Sequence, residues 1–386
     1  MRILVTSTPG AGHVHPIVPI ARALTDSGHE VVWATAEEGC ARVAALGFDV
    51  APAGMGSRAR MRQLLATTPG FMDLAPRSRR AVAFGGLFGR IAAPVMRDDL
   101  VAVFDDVRPD VVVHDIAELA ATPMAVARGI PHVTVAFSGV IPTGTVDHAL
   151  DEVAPLWAAE GVDVAADLGF ADHLYVHPFP GAFGAPPPGP TVRSIRPLHV
   201  DGAGDQDPPP DWIAALGQDR PLLYVTFGTE LGPRAPWGDL PATLGELDVD
   251  VVATTGSGVP RETLGVVPPN VHVEEYVAQR FVLDRAAVVV SHAGAGTLLA
   301  ATGRGIPQLC LPVAADQFEN ADAVARAGAG LVLEPDERGP ADLTTAITRL
   351  LGEPTWRDRA AAVAAEMEAL PHPRELVPEI EALTST

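Results

Sequence analysis

The sequence predicts an α/β protein made of two Rossmann-like domains. Three observations predict it. The chain has 386 residues, long enough for two domains of ordinary size. Short Val-rich runs of strand length alternate with segments of helical apolar spacing, the order expected of parallel sheets covered by helices. A strand that runs straight into a glycine turn occurs twice, at residues 2–6 before Gly10 and at 222–227 before Gly228.

In the first half, residues 2–6 form a strand, followed by the loop Pro9-Gly10-Ala11-Gly12-His13-Val14-His15-Pro16. Pro16 suits the first helical position, where its missing N–H has no intrahelical partner to lose. Ile17, Ile20, Ala21 and Leu24 then mark one apolar face, Gly28 ends the helix, and Glu30 to Ala34 form the next strand. The dinucleotide fingerprint is incomplete. Gly10 and Gly12 supply two glycines, but His15 takes the third place and no acidic residue closes the second strand. His13 and His15 also lack the further Cys, His or carboxylate cluster that a metal site needs.

Residues 52–100 read as irregular and rich in Arg, with Arg58, Arg60, Arg62, Arg77, Arg79 and Arg80. They fit a mobile lobe over an apolar pocket, lined by Met61, Phe71, Met72, Phe84, Leu87 and Phe88. Pro109-Asp110-Val111-Val112-Val113-His114-Asp115 is a buried strand ending in a carboxylate, and Asp115 with Glu118 has capping-box spacing. Strands at 132–137 and 173–176 complete this domain, assigned to residues 1–198. Proline clusters at 186–188 and 208–210 mark a stiff linker, residues 199–211. Asp205-Gln-Asp207 and Asp248-Val-Asp250 have a metal-diphosphate form, but their places in the linker and before a strand read as chance.

The second domain, residues 212–365, expects strands at 222–227, 249–254, 271–274, 287–291, 308–312 and 330–333. Val288-Val289-Val290-Ser291 leads into His292-Ala293-Gly294-Ala295-Gly296-Thr297, where two glycines permit a sharp turn into a helix. A helix N-terminus offers unpaired N–H groups and a positive dipole end, which suit a phosphate. After the next strand come Asp316 and Gln317, a polar pair placed to grip hydroxyls, with Asp316 and Glu319 again at capping-box spacing. A helix from about Trp356 carries Ala360, Val363, Met367 and Leu370 on one stripe.

Composition excludes several function classes. A formal net charge of −21 argues against a nonspecific nucleic-acid or anionic-membrane surface, so a diphosphate has to be held by local donors and dipoles. The two cysteines, Cys40 and Cys310, sit in apolar surroundings and fit reduced thiols of a cytoplasmic protein. The N-terminus lacks the apolar segment of a signal peptide, and no uncharged apolar run approaches about 18 residues, so no stable membrane insertion is expected. A monomer or homodimer is expected.

His292-Ala-Gly-Ala-Gly-Thr297, Asp316-Gln317, Asn320 and Gly328-Ala329-Gly330 together resemble the donor-binding half of family 1 nucleotide-sugar glycosyltransferases of GT-B architecture. Gly12-His13-Val14-His15-Pro16 resembles the loop carrying the catalytic base in that family, and the likeness runs through nearly the whole chain. It is nearest the bacterial members that decorate macrolides and polyketides in antibiotic biosynthesis. The resemblance implies two domains facing across a cleft, with a C-terminal segment, residues 366–386, crossing back to the first.

It also implies an inverting transfer of a sugar from a dTDP- or UDP-sugar to a hydroxyl of a small hydrophobic acceptor. His13 would be general base and Asp115 its orienting partner. Donor contacts would come from Gly12, Gly228, Thr229, Tyr276, Val277, Gln279, His292, Ala295, Gly296, Thr297, Asp316 and Gln317. Tyr276-Val277-Ala278-Gln279 stands where relatives carry Trp-x-Pro-Gln, so Tyr276 keeps a smaller ring for the base. Acceptor contacts would come from Met61, Phe71, Phe84, Phe88 and Phe137. No cofactor and no metal are expected beyond the nucleotide sugar as co-substrate. Ala300 stands where plant relatives place a Glu on the ribose hydroxyls, which favours a deoxyribose donor. A UDP-sugar epimerase of the same architecture, or a non-catalytic descendant that only binds a nucleotide or partner, are the alternatives.

Overall fold

The computed structural model describes residues 1–139, 141, 143–200, 208–228 and 231–385. Thr229, Asp205 and Asp207 therefore lie outside the described residues, as does much of the expected linker. The chain divides into two compact units. One holds Met1–Phe179, Ala185–Val200 and Leu370–Thr386, the other Pro180–Gly184 and Asp201–Ala369. The bounds expected from sequence shift accordingly: residues 180–184 go to the second unit, and the return to the first begins at Leu370 instead of residue 366.

The first unit is built on β1 (Arg2–Thr6), β2 (Glu30–Thr35), β3 (Asp49–Pro52), β4 (Val111–Asp115), β5 (His132–Val135), β6 (Leu174–His177) and β7 (Val192–Ser194). These pair in parallel in the order β3-β2-β1-β4-β5-β6-β7. Alternation along each strand sends side chains to two cores. Ile3 and Val5 join one, with Val111, Val113, Val133 and Val135. Leu4 and Val112 join the other, with Phe84, Met96 and Trp157. Burial on both faces explains why the strands read as continuous apolar runs.

The second unit is built on β8 (Leu222–Thr226), β9 (Asp250–Thr254), β10 (Val271–Glu274), β11 (Ala286–Ser291), β12 (Gln308–Cys310) and β13 (Gly330–Val332). Their parallel order is β10-β9-β8-β11-β12-β13. Leu223 and Val225 face one core and Tyr224 the other. Asp250 takes the Gly217 N–H at 3.0 Å and pairs with Arg220, so the second Asp-x-Asp sequence is a brace.

Strand order decides where chemistry can occur. In an open parallel sheet, the loops leaving two neighbouring strands diverge where the winding reverses, and ligands bind at that crevice. In the first sheet the reversal lies between β1 and β4, in the second between β8 and β11. The loops at those points carry His13 and Asp115 in one unit, and Gly228 and His292 in the other.

Residues 52–100 are not an irregular lobe. They form helices Ser57–Thr67 and Pro76–Ala83, a π-helix over Phe84–Ala92, and helix Ala93–Val107. The π-helix is a wide, rare form; Gly85 and Gly89 let helix Thr143–Ala159 approach it closely, and Gly86 leaves room for Leu64 of helix Ser57–Thr67. The C-terminal residues pack on the first unit. Arg196 N–H donates to the Pro371 carbonyl at 2.8 Å, Arg193 pairs with Glu379 at 2.7 Å, and Leu376, Val377 and Ile380 enter its core. Among the described residues no helix is long and apolar enough to cross a membrane.

Candidate functional site

After β1 the chain passes through Gly10 into a single helical turn, Ala11–Val14, instead of staying a loop to Pro16. His13 sits on that turn, with its N–H donating to the Gly10 carbonyl at 3.0 Å. A Cβ on residue 10 would stand 3.3 Å from the His13 ring, so glycine lets the imidazole approach the backbone closely. Gly12 beside it has open space where a side chain would stand.

His13 Nδ1 lies 2.8 Å from Asp115 Oδ2, at the C-terminal end of β4. The two atoms are within bonding distance, although the ring N–H is not aligned on the oxygen. Asp115 is 1% exposed, and its position is fixed from three sides. Ala117 N–H donates to Oδ1 at 3.1 Å, while the Thr8 N–H and hydroxyl both reach Oδ2 at 3.4 Å. No helix begins at Asp115, so the expected capping box with Glu118 is absent. Glu118 instead accepts the Ala120 and Ala121 N–H groups at 2.8 and 3.3 Å and the Thr6 hydroxyl at 2.6 Å. Its burial, and secondarily Asp115 nearby, push its carboxyl up to about 7.

Aromatic rings close on His13. The Phe137 centroid is 4.4 Å from the imidazole and that of Phe88 is 5.5 Å away. Phe84 follows at 6.0 Å from Phe88, and the Arg60 guanidinium lies over the Phe88 ring at 5.0 Å. Phe71 is turned into a separate small core with Leu64, Leu87 and Ile91, and Met61 packs on its edge. Those two expected acceptor contacts therefore support the helices. A small recess in this unit is lined in part by Thr8, Met55, Arg60, Phe88, Met96 and Glu118. Met55, Met96 and Glu118 were not among the expected contacts; no spacing signal in the sequence marks them.

In the second unit, helix Ala295–Thr302 starts at Gly294 with no side-chain cap, leaving the N–H groups of its first turn directed outward. Gly296 is exposed and a Cβ there would meet nothing within 4 Å. Thr297, 6% exposed, accepts a hydrogen bond from Gln279 Nε2 at 3.0 Å. Gly228, at φ +72°, approaches His292, whose ring would lie 3.1 Å from a Cβ on residue 228. Burial pushes the His292 imidazole down to about 4, so it is neutral near pH 7 and can serve as a donor without a cation's charge.

Asp316 precedes helix Gln317–Arg326 but caps nothing through its side chain, contrary to the capping-box spacing with Glu319. Its Oδ2 accepts from Asn320 Nδ2 at 2.8 Å. Gln317 Oε1 takes the Val313 and Ala314 N–H groups at 2.8 and 2.9 Å, so its carbonyl end holds the preceding loop. Val277 is buried in the core at 7% exposure, while Tyr276 stands 56% exposed on the surface after β10. Among the described residues no group of three or more His, Cys, Asp or Glu is arranged to hold a metal ion.

A family model described as the erythromycin biosynthesis protein CIII-like C-terminal domain matches residues 239–383. The elloramycin glycosyltransferase ElmGT of Streptomyces olivaceus is 31% identical over 394 residues, covering 97% of this chain and 96% of that protein. The chain belongs to the bacterial natural-product glycosyltransferases of GT-B architecture. Solved structures agree on the fold of this glycosyltransferase. VinC, in a complex with dTDP, superposes with a TM-score of 0.81 at 27% identity over 100% of both chains. The spinosyn rhamnosyltransferase SpnG, complexed with spinosyn aglycone, gives 0.80 at 26% identity over 99% of this chain and 100% of that one.

Proposed function

We propose that this glycosyltransferase moves a sugar, with inversion, from a dTDP-sugar, or less well a UDP-sugar, to a hydroxyl of a small hydrophobic natural product. The 2.8 Å contact between His13 and Asp115 among Phe88 and Phe137 carries the reading. With Nδ1 held toward a buried carboxylate, Nε2 is the nitrogen left to act as base. The acceptor hydroxyl gives its proton to Nε2 as its oxygen bonds to the anomeric carbon. The bond from that carbon to the diphosphate oxygen breaks on the opposite face, and the nucleoside diphosphate leaves with the electron pair. Asp115 stabilises the imidazolium that forms.

In the second unit, the outward N–H groups of Gly296 and Thr297 and the neutral His292 suit the diphosphate, where fixed donors favour the charge that grows as it leaves. The reading needs no metal, because these donors supply that stabilisation. Asp316 and Gln317 stand where hydroxyls of the sugar are gripped in the family. Two features support a thymidine nucleotide: Ala300, buried at 3% exposure, offers no carboxylate to a ribose 2′-hydroxyl, and VinC is described with dTDP bound.

The test is mass spectrometry of a panel of nucleotide sugars incubated with polyketide and macrolide aglycones, by wild type and by His13→Ala, with NMR of the product to read its anomeric configuration. A glycosylated aglycone of inverted anomeric configuration, lost in the variant, is expected. Products from donor alone, or a variant as active as the wild type, would overturn the reading.

A further inference from the structure

Two loops of the second unit carry the residues assigned above to the donor, and one buried side chain ties them together. Asn320, 3% exposed on helix Gln317–Arg326, donates from Nδ2 to the Ala293 carbonyl at 3.1 Å and to Asp316 Oδ2 at 2.8 Å. Ala293 belongs to the turn between β11 and helix Ala295–Thr302; Asp316 belongs to the turn after β12. One amide group, with two hydrogens, thus spends one on each loop.

Both loops hold an alanine in the left-handed region, Ala293 at φ +62° and Ala315 at φ +56°. An L-residue adopts that conformation at a cost, so the surroundings must impose it, and such positions gather at ligand sites. Each alanine borders a residue aimed at the donor: Ala293 follows His292 and Ala315 precedes Asp316. Around Ala293 the constraint is explicit. Its N–H donates to Ser291 Oγ at 3.1 Å, its carbonyl is taken by Asn320, and the residue is fully buried. Around Ala315 it comes from Gln317, which gathers two N–H groups of the same loop, and from Asn320 on the far side of Asp316.

We propose that Asn320 is a positioning residue that couples the diphosphate grip to the sugar grip, aiming the Asp316 carboxylate by the same amide that fixes the His292–Gly294 turn. The inference rests on the donor-site reading above. Asn320 touches no substrate in it. Its effect reaches the ligand through Asp316, and so bears more on the sugar than on the nucleoside diphosphate.

Calorimetry with thymidine diphosphate and with an intact dTDP-sugar tests it. Asn320→Ala should weaken the sugar nucleotide roughly tenfold more than the diphosphate, the scale of one hydrogen bond to a charged group. Asn320→Asp, which keeps the volume but offers no N–H, should do the same. In an Asp316→Ala background the extra loss should vanish. Equal losses for the two ligands, or none, with only a lower melting temperature, would reduce Asn320 to a packing residue and overturn the proposal. Wild-type protein that binds neither ligand would instead remove the donor site itself, and this inference with it.

Discussion

Thr6 meets Glu118 at 2.6 Å, and the carboxyl it holds lies three residues beyond the one that faces His13. Two acidic groups are therefore buried on one turn, and burial raises the second from the usual 4.5 to about 7. For an acid raised in the folded state, the native protein holds the extra proton between those values. Stability from this group is then full below about 4.5, falls as pH rises to about 7, and is flat above. Glu118→Gln should remove that slope. The unfolding free energy of the variant relative to wild type should rise across that window, by a shift on the order of 1–3 kcal/mol. A constant difference at all pH values would show that Glu118 does not titrate there.

His13→Ala should lower turnover by about 10²–10⁴-fold, the usual range for a general base. Binding of thymidine diphosphate should be largely retained, since all the donor residues but Gly12 lie in the other unit. Asp115→Asn should lower turnover by roughly 10²-fold or more, because an amide can offer its N–H to Nδ1 and favour the wrong tautomer. Steady-state kinetics would check both, and an Asn variant of wild-type rate would show that Asp115 only braces its own turn.

Thr297→Val removes the hydroxyl bonded to Gln279 at 3.0 Å on the first turn of helix Ala295–Thr302. Nearly the same volume remains, so folding should be little affected. Affinity for thymidine diphosphate should fall by roughly tenfold. Unaltered binding by calorimetry would show that the Thr297 hydroxyl takes no part in holding the phosphate, leaving the backbone N–H groups of that turn.

Gly89→Ala places a methyl 2.9 Å from Val153 Cγ1, across the contact between the π-helix and helix Thr143–Ala159. Overpacking of this kind costs about 1–3 kcal/mol. Because Phe88 is the next residue and packs on His13, turnover should fall as well. The pair Gly89→Ala with Val153→Ala should cost less than the sum of the single changes, as the new methyl enters the space vacated. Simple additivity in denaturant unfolding would show that the two positions do not press on one another.

Much of the framework can be read directly from residues such as Val111–Val113 and Val288–Val290. They are buried on both faces, so no polar alternation obscures the strand. Both turns at the winding reversals are legible for a related reason: glycine at 10 and 228 and the polar residues behind them interrupt long apolar stretches. β3 and β7 escape notice because short edge strands next to proline have little pattern to show. Phe84–Ala92 escapes because a π-helix bonds i to i+5, and its period does not match the helical template.

The site is less legible where one spacing serves two geometries. Asp115 with Glu118, and Asp316 with Glu319, have the interval of a capping box, yet neither pair forms one. The oxygens are claimed by groups distant in sequence, Thr6 and Thr8 in the first case, or one turn further on, Asn320 in the second. Gln317 spends its carbonyl on backbone, a use that residue type alone cannot reveal. Asn320 is visible in the sequence only as part of a motif. Its bridging role depends on which carbonyl the fold brings to it.

The first unit begins with Ile3 and Val5 but is completed by Leu376, Val377 and Ile380, which occupy the same core. A ribosome adding about 5–20 residues per second therefore needs tens of seconds after making β7 before that core can close. Through that interval the nascent amino-terminal half carries an open apolar face where those three side chains will sit. A nonsense codon near the 3′ end of the message would accordingly injure the part of the molecule translated first.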